Sequence, residues 1–153
     1  PALVDLVGAV CGVGLFAIVR KRPDAARTLA FLICALLILR GLDPFRFSMS
    51  PTPFGWTPLG ASFASERAPA VFVLLQKCWW YGVAVWLVGR AGAPAWGAAG
   101  LLAVLLGGIE ATQMWLPGRT PEITDPLLAI AMALLLRISA ANRTVRAVRP
   151  VNS

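Results

Sequence analysis

Long stretches without charge are the feature that most constrains how this chain folds. Residues 91 to 109 contain no charged side chain, and other nearly uncharged runs of similar length occur on both sides. A helix needs about 20 predominantly apolar residues to cross a bilayer. The chain is 58% hydrophobic and only 14% charged, whereas soluble domains average about 25% charged residues. We therefore predict an all-α, polytopic transmembrane helical bundle.

The apolar runs predict about five membrane spans in a single domain. The predicted spans cover residues 2–19, about 26–42, 68–88 and 95–116, and a last run that starts at Pro126. A polar loop rich in Pro and Ser separates the second span from the third. We assign residues 1–142 to one transmembrane domain and residues 143–153 to a basic cytoplasmic tail.

The basic residues lie at the ends of the apolar runs, where they act as orientation signals. Nine Lys and Arg residues fall on the side of the predicted tail and four on the other side. This bias predicts the N-terminus outside and the C-terminus inside. The formal net charge is +7, but no basic face studded with aromatic residues stands apart from the spans. We therefore expect no nucleic acid partner.

The cysteine and histidine content restricts the possible chemistry. Cys11, Cys34 and Cys78 lie in apolar runs without CxxC spacing, so we expect neither a disulfide framework nor a zinc site. The chain has no His, which removes histidine-based triads and histidine-ligated metals. We expect no cofactor, no metal site and no enzymatic activity, because the sequence shows no nucleophile–base pair and no phosphate-cradling glycine loop.

Two other activities are weaker alternatives. An enzyme acting on a lipid-linked substrate would use Glu110 as its general base, since burial favours proton binding by a carboxylate. Ion-coupled transport through Glu110 has little support, because a bundle of short spans without an internal repeat is not the usual architecture of a transporter.

Polar side chains are concentrated in one segment, "GIEATQMWLPGRTPEITDP", at residues 108–126. One face of the preceding run carries small residues at four-residue spacing: Ala99, Ala103, Gly107 and Ala111. Glu110 projects into this row on a helical wheel, which indicates that it faces other helices. A charge inside a bilayer costs about 2.5–3.5 kcal/mol and therefore needs a partner. Lys77 is the basic residue in the middle of a span, so we expect a contact between Lys77 and Glu110.

The loop within this segment has both a structural and a functional interpretation. Its "PG" ends the fourth span, and "TPE" at 120–122 has the pattern of an N-cap, a first-turn proline and an acid. Helix capping accounts for an acid at position 122. For Asp125, helix capping and a role in binding are equally good interpretations. Arg119 has no such local role, and its guanidinium is suited to holding a phosphate or carboxylate through two hydrogen bonds. The alternative for Arg119 is a surface anchor.

The spacing Glu110-x2-Gln113-x5-Arg119-x2-Glu122-x2-Asp125, with "LPGR" intact, resembles the signature of VanZ-like membrane proteins. In that family the motif reads roughly E-x-x-Q, then L-P-G-R, then an acid, then an Asp that opens the last helix. "FGWTPLG" also resembles the aromatic–Pro segment of the family, and the likeness extends over roughly residues 26 to 140. The resemblance implies a small bacterial inner-membrane protein of the cell envelope. The protein that gives the family its name is associated with teicoplanin resistance.

Two departures mark the chain as a divergent member of such a family. The family usually carries Asn four residues after the last Asp, and this chain has Ala129 there. The third span reads "LLQKCWWYG" in place of the family's Asn-containing start and Pro-Gly turn.

We predict that the polar residues form a binding pocket at the outer leaflet: Glu110, Gln113, Arg119, Glu122, Asp125 and Lys77. Arg119 would hold an anionic group of a lipid headgroup or another envelope component, with Glu110 and Gln113 orienting it and Asp125 fixing the loop. In the alternative, the protein is an accessory or assembly subunit of a larger membrane complex that docks through small-residue and Trp-rich helix faces, and the polar motif holds its own loop together. The expected partners are membrane lipids and, in the alternative, partner transmembrane subunits.

Overall fold

Four long helices form most of the described part of the chain. The computed structural model describes residue 14 and residues 24–60 and 67–148. The helices are α1 Ala25–Leu42, α2 Arg67–Arg90, α3 Ala95–Gln113 and α4 Thr124–Val148. Each contains a segment long and apolar enough to cross a membrane. The all-α prediction is confirmed for these residues, and the four helices indicate a multi-pass membrane protein.

The helix bounds follow the second to fifth predicted spans. The first predicted span, residues 2–19, lies outside the described residues except for Gly14, so five spans and an outward N-terminus stay predictions. Helix α4 has 25 residues, or about 38 Å at 1.5 Å per residue. This length exceeds the roughly 30 Å of bilayer hydrocarbon. The basic segment that begins at residue 143 therefore starts on the same helix that crosses the apolar layer.

Helices α2 and α3 are central, and α1 and α4 lie on opposite sides of them. Both central helices pack against each other, against α1 and against α4, whereas α1 and α4 make no helix–helix contact within the described residues. Two glycines permit close approach. A Cβ atom on Gly41 would lie 2.5 Å from Ile109 Cγ2, and one on Gly82 would lie 2.9 Å from Met132 Cε. Small residues thus set the α1–α3 and α2–α4 packing distances.

The outer surface of the bundle is apolar, and several polar side chains are inside it. Phe31 on α1, Phe72 on α2 and Val104 on α3 expose 73%, 69% and 77% of their surface, whereas Glu110 exposes 3%. Large apolar side chains that face outward on every helix suit lipid as the surrounding medium. Buried ionisable groups between such helices are uncommon and mark sites where polar interactions are concentrated.

The small-residue row of α3 lines up with the interior only at one end. Ala99 is buried, but Ala103 and Gly107 are half-buried and Ala111 is exposed. Four residues turn a helix by about 400°, so a row at this spacing drifts about 40° per step away from any straight contact line. The buried face is formed instead by the following residues: Ala98, Ala99, Leu102, Leu106, Ile109, Glu110 and Gln113.

Two loops, residues 43–60 and 114–123, are joined by backbone hydrogen bonds at one end of the bundle. The amides of Ser48, Thr52 and Gly55 donate to the carbonyls of Trp115, Met114 and Pro121 at 2.7, 2.6 and 2.8 Å. Gly55 and Glu122 form an isolated parallel bridge. Gly118 has a φ of +78°, which favours glycine at this position of "LPGR". The paired loops cover the end of the bundle where the polar motif lies.

Candidate functional site

A cavity of about 360 Å³ lies beneath the two loops. It is lined by all four helices and by the loop that joins α3 to α4, from Arg119 at one end to Leu106 at the other. Leu106 precedes the end of α3 by two turns, so the cavity extends about 10 Å into the bundle at 1.5 Å per residue. Its walls include all six residues of the predicted pocket: Lys77, Glu110, Gln113, Arg119, Glu122 and Asp125. Their function as a binding site stays a prediction.

Glu110 is directed at the loop in front of α4. Its Oε2 atom accepts a hydrogen bond from the backbone N–H of Glu122 at 2.8 Å. The carboxyl groups of Glu110 and Asp125 are also direct neighbours. Glu110 therefore joins the last turn of α3 to the start of α4, and it does so from a nearly fully buried position.

Asp125 connects α4 to α2. Its Oδ1 atom lies 2.6 Å from Lys77 Nζ, and its Oδ2 atom accepts a hydrogen bond from the Tyr81 hydroxyl at 2.5 Å. The ion pair expected between Lys77 and Glu110 therefore forms between Lys77 and Asp125. Helix α2 packs against α4 as well as α3, and the first turn of α4 brings a carboxylate up to the polar face of α2.

Tyr81 belongs to the site, although the predicted pocket did not include it. It follows Lys77 by four residues, which places both side chains on one face of α2. That spacing was visible in the sequence and is the signal that identifies it. Tyr81 is 5% exposed, so its hydroxyl needs a hydrogen-bond partner inside the protein.

Gln113 and Arg119 both donate to the backbone at the end of α1. The Nε2 atom of Gln113 donates to the carbonyl of Gly41 at 2.8 Å. The Nη2 atom of Arg119 donates to the carbonyls of Asp43 and Arg40 at 2.5 and 3.3 Å, and its Nε atom donates to the Asp43 carbonyl at 3.2 Å. The guanidinium is thus fixed at the negative end of the α1 dipole.

These contacts complete the hydrogen bonding of α1. The last four carbonyls of a helix have no partner within the helix. Here the Leu39 and Leu42 carbonyls accept from the amides of Asp43 and Phe45 at 3.1 and 2.8 Å. The carbonyl of Arg40 accepts from Arg119 Nη2, and the carbonyl of Gly41 accepts from Gln113 Nε2. Two residues of the polar motif therefore satisfy a helix end that is distant in sequence.

The capping interpretation of "TPE" is wrong, because α4 begins at Thr124 and the three residues precede it. The Thr124 hydroxyl accepts a hydrogen bond from the Leu59 amide at 2.8 Å. Glu122 is 6% exposed, and its backbone takes part in the bridge to Gly55. Asp125 lies in the first turn of α4, but its carboxylate binds side chains of α2.

Arg40 is a second residue that the predicted pocket did not include. It lies in the last turn of α1, is exposed, and lines the cavity. It interacts electrostatically with Tyr81, and within the described residues it has no carboxylate partner. The sequence signal was weak, because an arginine after an apolar run is usually only an orientation signal.

The two arginines of the cavity and its carboxylates lie on different sides. Arg40 and Arg119 are on the α1 side, since Arg119 is hydrogen-bonded to the end of α1. The carboxylates lie on the side of α3 and α4, and they belong to Glu110, Glu122 and Asp125. The Lys77 ammonium reaches this side from α2. Between residues 24 and 148, no three Cys, Asp or Glu side chains of the described part stand close enough together to hold a metal ion.

The arrangement can hold polar groups of both signs within a largely apolar bundle. Comparisons with protein-family models, with curated proteins and with solved structures find no match to this chain. The functional interpretation therefore depends on the residues and distances of this cavity.

Proposed function

We propose that the cavity binds the anionic part of a membrane-lipid headgroup, or of a chemically similar component of the bacterial cell envelope. The observation that carries this proposal is the placement of Arg40 and Arg119 on one side of a 360 Å³ cavity, where Arg40 has no carboxylate partner within the described residues. The volume falls in the range of about 300–1,000 Å³ that is usual for small-molecule sites.

Arg119 is suited to this role because its orientation is already fixed. Its Nε and Nη2 atoms donate to the carbonyl of Asp43, the residue that follows α1, and no hydrogen bond from Nη1 is present within the described residues. A guanidinium held in this way loses little conformational entropy when it binds an anion. Charge-assisted hydrogen bonds to phosphate or carboxylate oxygens are about twice as strong as neutral ones.

The predicted topology supports an outer-leaflet location. The bias of basic residues puts the loops 43–60 and 114–123 on the outer side of an inner membrane. The VanZ-like resemblance agrees with a role at the cell envelope, and it rests on the same motif residues that line the cavity. We propose that this chain is a divergent VanZ-like protein on that basis.

Arg40→Gln tests the proposal. The side chain of Arg40 makes no hydrogen bond or ion pair with a described residue, so the substitution removes a cavity charge without removing a known structural contact. The matched control is Arg46→Gln, because Arg46 is exposed in the same part of the chain and does not line the cavity. The assay is native mass spectrometry of protein in lipid nanodiscs of neutral lipid, titrated with an anionic lipid.

We expect Arg40→Gln to weaken lipid retention about tenfold, equivalent to about 1.4 kcal/mol, and Arg46→Gln to change it little. Equal retention by the wild type and both variants would show that the cavity does not recognise anionic headgroups.

A second function, an assembly subunit of a membrane complex, is favoured by a specific observation. Four of the motif side chains make hydrogen bonds within the chain itself: Glu110, Gln113, Arg119 and Asp125. Such intramolecular hydrogen bonds are expected of a motif whose role is to hold its own loop together. Purification in mild detergent distinguishes the two functions. A partner of fixed stoichiometry that is lost on Trp79→Leu, a change on the exposed face of α2, would favour the subunit.

A further inference from the structure

We propose that the ligand of this cavity carries a primary ammonium group in addition to its phosphate, as a phosphoethanolamine headgroup does. The inference rests on the proposed function and names the chemical class of its ligand. It follows from the way the charges are divided between the two sides of the cavity.

The anion-binding side belongs to α1. Arg40 is part of α1, and Arg119 donates to the carbonyls of Arg40 and of Asp43, the residue that follows α1, in hydrogen bonds of 2.5 to 3.3 Å. The carboxylate side belongs to α3 and α4, where Glu110 and Asp125 are neighbours. Helices α1 and α4 do not contact each other within the described residues, and the lining of the cavity includes both. A ligand in the cavity therefore meets two guanidinium groups on one side, and carboxylates together with the Lys77 ammonium on the other.

The carboxylate side already holds one primary ammonium group, that of Lys77. Its Nζ atom lies 2.6 Å from Asp125 Oδ1, and the Lys77 side chain keeps 32% of its surface exposed. An ammonium group can therefore reach this side in a geometry suited to hydrogen bonding. Each carboxylate has two oxygens and about four acceptor positions. The hydrogen bonds made by Glu110 and Asp125 leave acceptor positions for a second ammonium group.

A purely anionic ligand fits this cavity less well. Its charge would approach the neighbouring carboxyl groups of Glu110 and Asp125 in a cavity about 10 Å deep, where the low dielectric constant strengthens repulsion. A zwitterion places its phosphate at the guanidinium groups and its ammonium at the carboxylates. A trimethylated ammonium carries the same charge but has no N–H to donate, so hydrogen bonding should favour a primary amine.

The experiment compares headgroups on the unmodified protein. Nanodiscs of phosphatidylcholine are supplied with equal low amounts of phosphatidylethanolamine, its N-methylated forms or phosphatidylglycerol, and bound lipid is counted by native mass spectrometry. Soluble O-phosphoethanolamine and inorganic phosphate are tested in parallel, to separate a lipid from a free phosphate ester. We expect phosphatidylethanolamine to bind at least about tenfold more tightly than the trimethylated or glycerol lipid, a difference of about 1.4 kcal/mol.

Glu110→Gln provides a second measurement. The amide oxygen can still accept the Glu122 N–H, so the loop contact is kept while the carboxyl group is removed. The variant should lose the preference for the primary amine and bind phosphatidylglycerol at least as tightly as the wild type, because one carboxylate that repels an anion is gone. Arg40→Gln should weaken both lipids. Competition by O-phosphoethanolamine, but not by phosphate, would also support the inference.

The possible failures are distinguishable. If phosphatidylglycerol or the trimethylated lipid binds as tightly as phosphatidylethanolamine, the zwitterion inference is wrong and headgroup binding stands. If no added lipid or soluble phosphate ester binds, the proposed function is wrong as well.

Discussion

The ion pair between Lys77 and Asp125 gives the most quantitative prediction for this protein. Asp125→Ala removes the carboxylate that lies 2.6 Å from Lys77 Nζ and the acceptor of the Tyr81 hydroxyl. Removing one member of a fully buried pair costs about 3–5 kcal/mol. The Lys77 and Asp125 side chains keep 32% and 11% of their surface exposed. Screening in the cavity lowers the cost, so we expect a loss of about 2–3 kcal/mol of unfolding free energy.

A double-mutant cycle separates the pair from the effects of each substitution. Lys77→Met combined with Asp125→Ala removes both charges of the pair together, so its cost should be smaller than the sum of the two single changes. We expect a coupling energy of about 1–3 kcal/mol. The chain supplies a matched control in Arg27 and Asp24, whose side chains lie 3.3 Å apart but are 73% and 66% exposed. Their coupling should not exceed about 0.5 kcal/mol.

The assay is reversible unfolding in mixed micelles, with increasing SDS and far-UV circular dichroism as the signal. All variants are compared in the same detergent, so that only differences in unfolding free energy are used. If the losses of unfolding free energy caused by the two single changes simply add in the double variant, the ion pair between Lys77 and Asp125 does not stabilise the fold.

Two glycine substitutions test the backbone and the packing in the same assay. Gly118→Ala should cost about 1–2 kcal/mol because its φ of +78° lies in the left-handed region. Gly108→Ala is the control, since nothing lies within 4 Å of its added Cβ; equal stability of the two would contradict the strain. Gly41→Ala should separate α1 from α3, because its Cβ would lie 2.5 Å from Ile109 Cγ2. Adding Ile109→Ala should recover part of the loss, and no recovery would mean that the clash is not the cause.

The helices were predictable from the sequence because a bilayer allows few alternatives. Backbone groups in hydrocarbon must be hydrogen-bonded within the segment, so long apolar runs become helices. The bounds of α1 and α3 accordingly lie close to the predicted spans. The predicted start of α4, at Pro126, is two residues late, because the helix begins at Thr124. The Asp-Pro pair at 125–126 has the pattern of a cap but lies in the first turn of the helix.

The membership of the cavity was largely predictable, but the pairing inside it was not. Glu110, Arg119 and Asp125 are close in sequence, and one helix–loop–helix turn brings them together. The partner of Asp125, however, is Lys77, 48 positions away, and it is selected by the packing of α2 against α4. Arg40 also lines the cavity because of tertiary packing, since α1 packs against α2 and α3 and so brings its last turn to this site.

The sequence also could not reveal that part of the motif acts on backbone atoms, because carbonyl groups carry no signature in the residue letters. Gln113 donates to the Gly41 carbonyl, whereas the Arg40 side chain makes no hydrogen bond with another residue of the described part of the chain. Two residues of one cavity therefore have separable functions. Gln113→Leu leaves a helix-end carbonyl unpaired and should lower the unfolding free energy by about 1–3 kcal/mol, with faster hydrogen exchange in the last turn of α1 and an unchanged order of lipid preference. Arg40→Gln should weaken lipid binding and leave the unfolding free energy unchanged. If each of the two variants changes both lipid binding and the unfolding free energy, the two residues do not have separate functions.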